Sequence, residues 1–90
     1  MKIRGTTICF KSRPDFFKKE QSGIKPNTVR DLTLGEAAPF LLPCKDFKEL
    51  VSHIQIVDSE SGAFFVRELS DISYYDDRFI FSWVHVSRNP

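Results

Sequence analysis

Ninety residues with 41% hydrophobic, 28% charged and 13% aromatic side chains have room for one core, so a single domain spanning 1–90 is expected and a disordered chain is not. No apolar run approaches the ~18 residues of a membrane span, and Met1-Lys2-Ile3-Arg4-Gly5 has no signal-peptide stretch, so the expectation is a cytoplasmic protein with no membrane partner. The net charge of +1 hides a division: residues 1–30 hold eight cations and two acids, residues 31–90 five cations and ten acids, which predicts a basic face built from the first third.

The β-branched and aromatic residues from Ile3 to Lys11 predict a first strand, closed by Ser12-Arg13-Pro14. A short helix over residues 14 to 22 follows. Ser12 is placed to cap it, Pro14 suits its first turn, Asp15 complements its dipole, and Gly23 supplies a left-handed terminus. Phe16 and Phe17 are expected to anchor it to the core. Lys25-Pro26-Asn27 then forms a loop, because proline pushes the residue before it out of the helical region, and Thr28-Val29-Arg30 has strand character.

Thr33-Leu34-Gly35-Glu36 has the spacing of a capping box, while Pro39 and Pro43 forbid one long helix there. Asp46, Glu49 and the apolar set Phe47, Leu50 and Val51 suggest a second short helix. Strands are expected at His53 to Val57 and Ala63 to Arg67, joined by a hairpin through Asp58-Ser59-Glu60-Ser61-Gly62. Glu68 to Tyr75 continues as a strand end and bend. Arg78 to Val86 is a last strand with apolar residues on both faces, suited to a central position or a small barrel. The expected class is α+β, a small curved β-barrel with one or two short helices.

The richest chemistry lies at the helix-to-strand junction, Ser22 to Arg30. On a strand Thr28 and Arg30 share a face, and Lys25 projects from the loop toward the same end. Together with Asn27 they offer a point charge, an amide, a hydroxyl and a planar guanidinium, a set suited to an anion such as phosphate. His53 and His85 have no metal-ligand spacing, and Cys9 and Cys44 form neither a disulfide framework nor a CxxC pair, so no metal and no cofactor is expected. Cys9 reads as a core thiol and Cys44 as a more reactive one.

The run Gly23-x-Lys25-x-x-Thr28-x-Arg30, after a short helix that follows the first strand, resembles the GxKxxTxR signature of ASCH domains in the PUA-like superfamily. The resemblance implies a pseudo-barrel whose cleft beside this junction binds RNA or a (modified) nucleotide through Lys25, Asn27, Thr28 and Arg30. Some small ASCH proteins are amidohydrolases acting on acetylcytidine and others have been assigned ribonuclease activity. In such an enzyme Lys25 and Thr28 would be the catalytic lysine and nucleophile-like threonine. The hydrolases add a glutamate from a late helical insertion, for which the stretch from Leu69 to Phe79 has no room, so Glu68, Asp71, Asp76 and Asp77 are the nearby carboxylates to examine. A third reading is a protein-binding inhibitor or adaptor of the phage type, whose acidic part meets a basic protein partner.

Overall fold

The computed structural model describes residues 2–33, 35–36, 50–76 and 78–85. Among these residues it is a small α+β fold with six strands in one mixed sheet and one helix: β1 (Lys2–Arg4), β2 (Thr7–Ser12), α1 (Pro14–Ser22), β3 (Asn27–Arg30), β4 (His53–Asp58), β5 (Phe64–Tyr75) and β6 (Arg78–Trp83). The strand order is β1-β2-β4-β5-β6-β3; β2 runs parallel to β4 and the other neighbours are antiparallel.

The single first strand expected from Ile3 to Lys11 is instead a hairpin. Gly5 adopts φ +59°, and Arg4 pairs with Thr7 across a two-residue turn with its glycine first, the order favoured by a type II′ hairpin. Alternation along β2 then sends Ile8, Phe10 and Ser12 inward and leaves Cys9 on the outer face, half-buried, with its thiol 3.7 Å from the Gln55 side-chain oxygen. Cys9 is therefore not a core residue. Helix α1 matches its expected span, but Arg13 occupies the N-cap and makes no side-chain cap. Ser12 cannot cap because it belongs to β2 and points into the fold.

Strand β5 is a continuous twelve-residue strand where a strand end and bend were expected. Its first part pairs with β4 and its second with β6, with an irregularity in register between Leu69 and Asp71. A bulge at this point bends the strand and lets it serve both halves of a curved sheet. The core lies inside the curve: Ile8, Ile54, Ile56 and Phe81 are fully buried, and Phe17 of α1 packs on Phe65 at 5.5 Å between ring centroids. Burial of each such side chain contributes about 1.5–3 kcal/mol. Strand β6 occupies a central position, as its two apolar faces predicted, although only Phe79, Phe81 and Trp83 reach the core.

The described backbone ladder is open, with β1 and β3 at its edges. The Arg30 side chain crosses from β3 to β2, where Nη1 donates to the Lys11 carbonyl and Nη2 to Ser12 Oγ, each at 2.8 Å. The expected capping box forms: the Thr33 amide donates to Glu36 Oε1 at 3.0 Å and the Glu36 amide to Thr33 Oγ1 at 3.3 Å. The second helix expected from Asp46 lies outside the described residues, as does Cys44.

Candidate functional site

Where α1 ends, Gly23 takes φ +88° and the chain folds back so that the Lys25 amide donates to the Lys19 carbonyl at 3.0 Å. A side chain here would meet the His85 ring at 2.7 Å, so glycine is required both by the left-handed backbone and by the close approach. This reversal delivers Lys25 to the mouth of a cleft of about 400 Å³ between α1, β2 and β3. The same cleft is lined by Thr28 and Arg30 from β3, Lys11 and Ser12 from β2, and Arg13, Phe16 and Glu20 at α1.

Lys25, Thr28 and Arg30 are thus brought together. Arg30 Nε donates to Thr28 Oγ1 at 2.9 Å, and the guanidinium lies 4.8 Å from the Phe10 ring centroid. With the two bonds to β2, three of the five guanidinium N–H groups are committed to the fold, which leaves two without a partner among the described residues. Burial lowers the pKa of Arg30, partly countered by the negative charge of Glu20. Lys25 is less tied: its Nζ donates to the Asn27 carbonyl at 3.0 Å and stands 3.7 Å from Glu20 Oε2. Asn27 contributes this carbonyl and does not line the cleft itself.

Arg13 and Lys11 are exposed at the rim. Phe16, also exposed, has Arg13 Cζ and Lys25 Nζ at 5.5 and 5.7 Å from its ring centroid, within the range of cation–π attraction. The lining therefore carries four cations and one carboxylate.

That carboxylate was not singled out in the sequence. Glu20 is 1% exposed, and its Oε1 has no hydrogen-bond partner among the described residues. Its position three residues after Phe17 on the inward face of α1 was the available signal, since a glutamate at a core-facing helical position is rarely buried without a reason. Glu68, Asp71 and Asp76 lie on or just after β5, exposed and outside the lining of the cleft, and Asp77 is not among the described residues.

Among the described residues no group of three or more His, Cys, Asp or Glu side chains is arranged to hold a metal ion, and no helix is long and apolar enough to cross a membrane. Comparison with models of protein families, with curated proteins and with solved structures finds no match to this chain.

Proposed function

We propose that the chain binds RNA or a modified nucleotide through the basic cleft between α1, β2 and β3, as its resemblance to ASCH domains implies. The observation that carries this reading is the convergence of Lys25, Arg30 and the buried Thr28 hydroxyl on one 400 Å³ cleft, with Lys11 and Arg13 at its rim. A space of this size accommodates a nucleoside-sized ligand. Lysine and arginine supply phosphate contacts, Thr28 and the free guanidinium N–H groups supply directed hydrogen bonds, and Phe16 offers an aromatic surface to a base. On the same reading the curved sheet is a PUA-like barrel whose seam between β2 and β3 is spanned by Arg30 rather than by backbone pairing.

The test is titration of the purified chain with a fluorescently labelled RNA at about 50 and 200 mM salt, where phosphate contacts should make affinity fall steeply. Lys25→Ala should weaken binding at both salt concentrations. A wild type with no measurable affinity for RNA or for nucleoside monophosphates would overturn the reading.

Glu20 favours a second reading, an amidohydrolase of the acetylcytidine type. A hydrolase would need a carboxylate beside the lysine and threonine, and Glu20 lines the same cleft 3.7 Å from Lys25. Against it, among the described residues no hydrogen bond joins Lys25 to Thr28; the threonine oxygen instead accepts from Arg30, and a nucleophile requires a base within reach. Binding is therefore the better supported of the two. Turnover of acetylcytidine by the wild type, abolished in Thr28→Ala and in Glu20→Gln with the fold intact, would reverse that order.

A further inference from the structure

The cleft does not end at Lys11. A second hollow of about 230 Å³ lies on the outer face of the sheet, lined by Lys2, Arg4, Cys9, Lys11, Gln55 and Val57 among others, so Lys11 belongs to both. This hollow has three cations and no acid in its lining. Strand register explains the grouping. Lys2 stands opposite Cys9 and Arg4 opposite Thr7, so both share the outward face of β2 with Lys11. Along β2 the positions of Lys11, Lys2 and Arg4 follow one another at intervals of two residues, about 7 Å each, a basic line of about 14 Å that starts at the rim of the first cleft.

The same register adds an aromatic surface. Lys11 pairs with Val57, and Val57 with Phe64, which places Phe64 in one row with Lys11 two strands away, about 10 Å across the sheet. Phe64 is 58% exposed and Val66, opposite Gln55, is also exposed, so the outer face combines cations along its edge with apolar side chains beside them. Among the outward strand positions in these rows the acid is Glu68, three strands from Arg4 and beyond His53.

We propose that the cleft and the outer face form one track for a single-stranded nucleic acid several nucleotides long, its phosphates on Lys11, Lys2 and Arg4 and a base on Phe64. This rests on the nucleotide-binding reading of the cleft and narrows it from nucleotide to oligonucleotide. A mononucleotide presents its phosphate at one place, whereas a strand leaving the cleft at Lys11 meets two further cations in line. Cations interleaved with exposed aromatic surface are what sequence-tolerant recognition of single strands requires.

The experiment compares a labelled ten-nucleotide RNA of mixed sequence with the four nucleoside monophosphates, using the wild type, Lys2→Ala/Arg4→Ala, Phe64→Ala and Lys25→Ala. All four substituted residues are at least partly exposed, and thermal melting checks that the variants remain folded. Lys2→Ala/Arg4→Ala should weaken the ten-mer by roughly tenfold or more and reduce the slope of log affinity against log salt by about 1.4, while leaving monophosphate affinity unchanged. Phe64→Ala should weaken the ten-mer by roughly tenfold. Lys25→Ala should weaken both ligands. Unchanged ten-mer affinity in Lys2→Ala/Arg4→Ala, with loss in Lys25→Ala, would overturn the track and leave the cleft reading standing. Absence of binding to both ligands would overturn both readings, and equal affinity for polyglutamate of matching charge would overturn the nucleic-acid assignment.

Discussion

The interior has two unlike parts. Beneath β4, β5 and β6 it is aromatic and aliphatic, with Phe79, Phe81 and Trp83 of β6 packed among Phe10, Phe65, Ile54 and Ile56. Beneath the α1–β3 junction it is polar: the buried polar side chains among the described residues are Ser12, Glu20 and Thr28, and all three line the same cleft. An apolar core needs only shape and volume, whereas buried polar groups cost stability unless each is answered by a partner. Arg30 answers Ser12 and Thr28, and Glu20 is answered by Lys25 on one oxygen only. The difference teaches that one part is optimised for packing while the other keeps polarity inside at a cost, the feature on which the proposed binding role rests.

The contrast breaks most severely at Phe81. Phe81→Ala should cost about 3–5 kcal/mol in urea unfolding, because a fully buried ring in contact with Phe10 and Phe79 leaves a cavity the sheet cannot close. At concentrations where the variant is still folded its affinity for RNA should be near that of the wild type.

Arg30 belongs to both parts. Arg30→Ala should cost about 2–3 kcal/mol, since Ser12 and Thr28 lose their partner and β3 loses its side-chain link to β2. Arg30→Lys should recover little of it, because an ammonium cannot reproduce the fork that reaches Thr28, Lys11 and Ser12 together. Urea unfolding of both variants beside RNA titration would separate the structural share from the binding share.

Gly23 sets the position of Lys25 without touching a ligand. Gly23→Ala should cost about 1–2 kcal/mol for the left-handed backbone alone, with a further loss from the contact with His85. Adding His85→Ala should relieve only that second part, so a double-mutant cycle on thermal stability should show favourable coupling.

The smallest effect is expected in the β4–β5 turn, whose residues are outside the lining of the cleft. Asp58 Oδ1 accepts the Glu60 amide at 2.9 Å, and this bond, ahead of the hydrogen bonds from Ser61 and the charge of Lys18, holds the Asp58 carboxyl below its ordinary pKa. A carboxyl with a depressed folded pKa contributes stability that is complete above its unfolded value of about 3.9 and is lost as pH falls through the folded value. Asp58→Asn should therefore lower the melting temperature slightly at pH 7, and less so near pH 3, while RNA affinity is unchanged.

Local chemistry made much of the fold legible. The span of α1 follows from Pro14, Asp15 and Gly23, the capping box from Thr33 and Glu36, and β4 and the hairpin into β5 from alternation and turn residues. These signals act within a few residues of chain, where backbone sterics and nearest-neighbour hydrogen bonds dominate. The hairpin at Gly5 was also written locally, but a run of β-branched residues on both sides masked it.

For the cleft, spacing alone placed Thr28 and Arg30 on one face and Lys25 beside them, because strand alternation is a property of the backbone. What the chain order could not state is which distant strands meet. The union of Lys11 and Ser12 with Arg30, the row from Lys11 to Phe64, and the enclosure of Glu20 all depend on pairings and packing between segments far apart in sequence. Residue types determined which groups could bind an anion or fill a core; only tertiary structure decided that the carboxylate beside Lys25 comes from α1 rather than from β5, since burial is set by how the helix packs against strands distant in sequence.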